Sequence, residues 1–173
     1  AAHVTGGAAN IEDIYPLVSL QEGMLVHHRT SGRDAYILRA LLSFESERRL
    51  GQFLTALQFT IDRHDALRTA VQWQGLPEPV QVVWRSAALP VVRLPDTAAE
   101  QLWSLGLSPI DVTQAPMMRV HVAQDPAQNR WLLLLQCHHL VLDHNSLELL
   151  MAELGAHAAG HAHLPPPVPF RDF

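Results

Sequence analysis

The stretch QCHHLVLDHNS (136–146) places His138, His139, Asp143 and His144 directly after an apolar run, Trp131 to Leu135. A polar ring buried without a partner costs about 1–3 kcal/mol, so this cluster needs either a hydrogen-bond network or a chemical task. Its residue types allow three readings. In the first, His138 and His139 are hydrogen-bonded core histidines, and Asp143 and Asn145 serve the following turn and helix cap. In the second, His139, Asp143 and His144 bind zinc or another divalent ion. Adjacent Asp143 and His144 diverge, however, and the spacing differs from the H-x-H-x-D-H hydrolase signature, so no metal is expected. In the third, a neutral imidazole takes a proton from an attacking amine or hydroxyl, or orients it, during acyl transfer. A buried Asp143 would then need a cation, for which Arg68 in RHDALRT (63–69) is the candidate. Cys137 shares a strand face with His139 but sits about 7 Å from it, too far for a nucleophile–base pair, and is expected to pack.

The surrounding pattern must position this cluster. RWLLLLQC (130–137) is apolar on both faces and predicts a central strand, paired through the turn DPAQN with PMMRVHVAQ (116–124). NSLELLMAELGAHAAG (145–160) predicts a helix capped by Asn145, with Leu147, Leu150, Met151 and Leu154 on one stripe. The histidines therefore belong in a tight connection between a buried strand and a helix, where α/β folds tend to carry their chemistry. Upstream, SLQE (19–22) has the capping-box pattern and predicts a helix to about His28, with Ser19, Gln21 and Glu22 as cap chemistry. YILRALLSF (36–44) suits a strand. Leu50, Phe53, Leu54, Leu57 and Ile61 fall at helical spacing between Glu47 and about His64. LRTAVQW, GLPEP and VQVVW read as a two-stranded ribbon, and a short helix is expected near Ala98–Leu105. Strands and helices alternate irregularly, with hairpins among the strands, so the class is α/β with a mixed sheet.

With 173 residues, 48% of them hydrophobic, the chain is long enough for one domain with a core, or for one lobe of something larger. A net charge of −5, without bases interleaved with aromatics, argues against nucleic-acid binding. No apolar run approaches the roughly 18 residues of a membrane span, and residues 1–10 read as a leader or linker without signal-peptide character, so a cytoplasmic protein is expected. One cysteine allows no internal disulfide. Met117 and Met118 read as core filler. His157, His161 and His163 read as an exposed helix end and linker, able at most to hold a stray metal. The proline-rich stretch from Pro165 reads as an extended crossing over 165–173, which leaves 11–164 as the folded lobe.

RHDALRT (63–69) and HHLVLD (138–143) resemble the RHExLRT and HHxxxDG motifs of nonribosomal peptide synthetase condensation domains. DIYPLVSLQEGML (13–25) resembles their first motif, particularly in types that accept D-aminoacyl groups or combine epimerisation with condensation, and FRDF (170–173) resembles the start of a fourth. The resemblance covers residues 11–173. It implies the chloramphenicol acetyltransferase-like fold, two similar lobes forming a V around a tunnel, with this chain as the N-terminal lobe. It further implies amide formation between aminoacyl or peptidyl thioesters carried on the phosphopantetheine arms of donor and acceptor carrier proteins. No cofactor is bound directly. The expected partners are those carriers, the C-terminal lobe and a neighbouring adenylation domain, and the lone lobe is expected to be inactive.

Within this resemblance His139 is the base or the amine-positioning residue. His138 and Asp143 are scaffold of the same motif, and Arg68 and Arg63 belong to the supporting network. His144 and Ser146 lie in the oxyanion and substrate region. His144 stands where the family usually has Gly, so close backbone approach to the thioester carbonyl is harder. A different-class alternative is a noncatalytic relative that recruits partner proteins, but the retained histidine pair favours catalysis.

Overall fold

The computed structural model describes residues 4–31, 34–158, 166, 167 and 169, without the side chains of His144 and Ala158. His161, His163, FRDF and most of the proline-rich stretch lie outside the described residues.

The elements follow in the order β1 (Ile11–Pro16), α1 (Ser19–Thr30), β2 (Ile37–Phe44), α2 (Glu47–Arg63), β3 (Thr69–Gln72), β4 (Val80–Trp84), β5 (Val91–Arg93), α3 (Ala99–Leu105), β6 (Met118–Asp125), β7 (Arg130–His138) and α4 (His144–Ala158). They form a three-stranded sheet ordered β1-β4-β3 and a four-stranded sheet ordered β2-β7-β6-β5. The expected ribbon is present as β3 and β4, turning through Gly75 at φ 72°. It gains β1, a strand that the sequence pattern did not predict, antiparallel to β4. β7 is central as expected, antiparallel to both β2 and β6. β5 adds a parallel edge to β6 that was not expected, and makes the larger sheet mixed. Three exposed residues are too short a run for period-2 alternation to show.

β7 is buried on both faces because a layer covers each. Leu133, Leu135 and Cys137 join Leu50, Leu57 and Ile61 of α2 and Leu150 and Leu154 of α4 in the main core. Leu132 and Leu134 pack on the opposite face with Leu102 of α3. Each leucine so buried contributes about 1.5–3 kcal/mol, which makes β7 a rigid base for whatever follows it. Met117 and Met118 are core residues. On α4 the predicted stripe holds for Leu147, Leu150 and Leu154, but Met151 is exposed. His157, expected on a free helix end, stacks on Phe59 of α2 with ring centroids 4.4 Å apart.

Two caps differ from expectation. α1 begins at Ser19 with Val18 as its N-cap, and Gln21 reaches back so that its Oε1 accepts the Val18 N–H at 3.1 Å. α4 is capped by Asp143 and not by Asn145: the Asp143 carboxylate accepts the Ser146 N–H at 2.7 Å, and its carbonyl accepts the Leu147 N–H. Aspartate at this position also places negative charge at the positive end of the helix dipole.

Candidate active site

β7 ends at His138, and a tight turn closed by Val141 N–H on the His138 carbonyl leads to α4. Strand alternation sends the two histidine side chains in opposite directions. His138 goes inward and is fully buried, whereas His139 is only partly buried. The backbone here is held at several points. His138 N–H donates to the Met117 carbonyl and His139 N–H to the Tyr36 carbonyl at 2.9 Å. Leu140 N–H donates to His138 Nδ1 at 3.1 Å, and the Leu140 carbonyl accepts from Gln21 Nε2 at 3.0 Å. Gln21 also donates to Gln81 Oε1 of β4, so one buried amide joins α1, the smaller sheet and the histidine turn.

The bond from Leu140 sets the His138 tautomer. A nitrogen that accepts an N–H carries no proton, so the ring proton of neutral His138 lies on Nε2. Nε2 faces Asp34 Oδ2 at 3.2 Å, in a bent contact that is nearer to electrostatic attraction than to a full hydrogen bond. Burial pulls the His138 pKa down to about 4 despite the attraction of Asp34, so the ring is neutral at neutral pH. Asp34 also accepts His28 Nδ1–H at 2.7 Å through Oδ2 and Tyr36 N–H at 3.1 Å through Oδ1. Burial works to raise the Asp34 carboxyl, but the bonds from His28 and Tyr36, and the charge of His138 once it is protonated at low pH, hold it below the ordinary carboxylate value.

His28, Asp34 and His138 are the potential metal donors that converge among the described residues. With its proton on Nε2, His138 has no lone pair on that side to offer an ion, so the trio reads as a hydrogen-bond network. Asp143, the oxygen ligand of the metal reading, is occupied as a helix cap.

Arg68 does not meet Asp143. The turn Asp65–Arg68 directs Arg68 inward, where Nη1 donates to Glu12 Oε2 at 2.6 Å and to the Trp84 carbonyl. Arg63 lies 3.4 Å from Glu153 on α4, and His64 lies 2.7 Å from the same carboxylate, which joins α2 to α4. Arg63 and Arg68 line a polar cavity with Glu12, Asp13 and Asp65. Asp143 is exposed, so its charge stays solvated and needs no buried cation. Its carboxyl is held below the ordinary value mainly by its hydrogen bonds with Ser146, with a smaller contribution from His139. His144 opens α4, so its backbone is helical and a glycine conformation is not required there. Cys137 is buried, and desolvation pushes its thiol up to about 12, which removes it as a nucleophile at neutral pH.

Asp34, His28 and Tyr36 escaped the sequence pattern because Asp34 sits in a loop without periodicity. The one available signal was a second adjacent pair, His27–His28, at the end of α1. His27 stands edge-on to Tyr36 with centroids 5.3 Å apart, and His28 stands edge-on to His138 at 5.5 Å.

Malpinin synthetase of Mortierella alpina is 41% identical to the chain over 180 residues, a match covering 98% of the chain but 2% of that synthetase. The condensation domain of the Monacolin K polyketide synthase superposes with a TM-score of 0.71 at 19% identity, covering 92% of this chain and 37% of that one. A four-domain nonribosomal peptide synthetase bound to AMP and glycine gives a TM-score of 0.75 at 19% identity, over 94% of this chain and 13% of that one. The fold is thus chloramphenicol acetyltransferase-like, and the chain spans only part of each relative. The family model described as Condensation domain matches residues 11–173, so the chain belongs to the condensation domain family.

Proposed function

We propose that this chain is the N-terminal lobe of a nonribosomal peptide synthetase condensation domain, and that His139 serves amide formation between two carrier-bound thioesters. The observation that carries this reading is the division of labour at the end of β7. His138 is buried, neutral and turned to Asp34, whereas His139 is partly exposed on a backbone pinned from both sides. An acceptor amine, delivered on a phosphopantetheine arm, meets the imidazole of His139, which orients the amine or takes its proton as nitrogen attacks the donor carbonyl. The sulfur of the donor arm leaves, and the amide remains on the acceptor carrier. The resemblance assigns His144 and Ser146 to the region where the developing oxyanion would be met.

Catalysis requires the second lobe, donor and acceptor carriers and an adenylation domain to load them. The exposed apolar side chains Leu20 and Val26 of α1 and Leu149 and Met151 of α4 support a covering surface of this kind. The test is amide formation by the complete condensation domain with loaded donor and acceptor carriers. His139→Ala should lower the rate about 100-fold or more with little change in melting temperature. A near wild-type rate would remove His139 from the mechanism. Amide product from this chain without the second lobe would show that the half-site reading is wrong.

A further inference from the structure

We propose that Asp34 is the positioning residue of this site, holding both members of the His138–His139 pair through its two carboxylate oxygens. The inference rests on the proposed role of His139 and names the group that fixes its place.

Each oxygen has a separate task. Oδ2 faces His138 Nε2 at 3.2 Å and accepts His28 Nδ1–H at 2.7 Å. Through His138 this grip continues to Leu140, whose amide donates to the other ring nitrogen. Oδ1 accepts the Tyr36 N–H at 3.1 Å, and the Tyr36 carbonyl in turn accepts the His139 N–H at 2.9 Å. One carboxylate is therefore connected to the residue before His139, to the residue after it and to its own amide. The Asp34 side chain is 3% exposed and that of His138 0%. At such burial a polar contact adds little net stability over an apolar one of the same shape. What the carboxylate adds is direction. An acceptor-only group on the Nε2 side admits only the tautomer whose Nδ1 can receive the Leu140 amide. With the opposite tautomer two N–H groups would face each other at Leu140, and the turn carrying His139 would have to move. A displacement of about 1 Å is enough to cost a positioned catalytic group much of its rate.

The other donor-rich places carry less. The cavity of Arg63 and Arg68 is already balanced by carboxylates, and the groove of Leu54, Phe59 and Val91 has nothing seated in it to identify a partner.

Ring nitrogen NMR on the chain and kinetics on the complete domain test the proposal together. In the wild-type chain His138 should be neutral with its proton on Nε2, and Asp34→Asn should produce a mixture of tautomers. In the complete domain Asp34→Asn should lower kcat about 10-fold or more while KM stays within about twofold. Asp125→Asn is the control for a purely structural loss, because the Asp125 side chain is also buried, pairs with Arg130 at 3.1 Å and lies at the far end of the β6–β7 hairpin. It should lower the melting temperature and leave kcat unchanged. If Asp34→Asn does not fold, His28→Ala removes one donor from a half-buried site and should still lower kcat severalfold. The proposal is overturned by a wild-type His138 protonated on Nδ1. It is also overturned if every folded variant at Asp34 and His28 keeps full kcat while His139→Ala is impaired. Full activity of His139→Ala would instead refute the function of His139, and this proposal with it.

Discussion

Gln21 Nε2 donates to the carbonyl of Leu140, 119 residues away, at 3.0 Å. The same amide reaches Gln81, and Gln21 Oε1 caps its own helix. A side chain that read as simple cap chemistry is thus the joint between the first helix and the turn carrying His139.

Gln21→Leu fills the same space but leaves the Leu140 carbonyl and Gln81 Oε1 without their donor. Unsatisfied buried acceptors cost about 1–3 kcal/mol each, so the midpoint of urea unfolding should fall clearly, with the slope unchanged. Gln21→Glu should be no better, because it turns an acceptor toward two acceptors. A variant as stable as wild type would show that this joint carries no weight.

Arg68 and Asp143 should behave as independent positions. Asp143→Ala removes an exposed N-cap and should cost about 0.5–2 kcal/mol. Arg68→Met should cost more, because it strands the Trp84 carbonyl and Glu12 beside an apolar side chain. In double-mutant cycles Arg68 and Glu12 should couple, while Arg68 and Asp143 should add to within about 0.5 kcal/mol. Strong coupling between Arg68 and Asp143 would contradict the observed pairing.

His138 predicts a pH dependence of stability. Its folded pKa, about 4, lies below its ordinary value of 6.5 through burial, so across that interval the unfolded chain binds a proton that the folded chain refuses. Stability should therefore fall as pH drops from about 6.5 to about 4, by up to about 3 kcal/mol. Asp34, with its lowered pKa, adds a further loss only below its ordinary 3.8. The measurement is the difference in unfolding free energy between wild type and His138→Asn across this range. The variant, whose amide can accept from Leu140 but does not titrate, should show a flatter profile. Parallel profiles would mean that His138 does not titrate as burial requires.

Local order was largely legible in the sequence. Apolar spacing marked α2, β4 and β7 nearly to their ends, and the run Trp131–Leu135 announced a strand covered on both faces. The histidine pair stood out at the end of that strand, and the RHDALRT and HHLVLD stretches pointed to the family. These features are written in periods of two or 3.6 residues and in short contiguous motifs, so they need no knowledge of where the chain returns. Partner choice was decided by the tertiary structure. Arg68 was matched to Asp143 because a buried acid needs a cation, but Asp143 is exposed as the cap of α4 and Arg68 turns beneath β4 to Glu12. Asp34 carries no periodic signal, and its hold on His138 exists because β2 and β7 pair with Ile37 opposite His138, bringing the loop before β2 against the end of β7. Strand register and loop path bring such polar groups into contact, and both emerge only when distant segments pack.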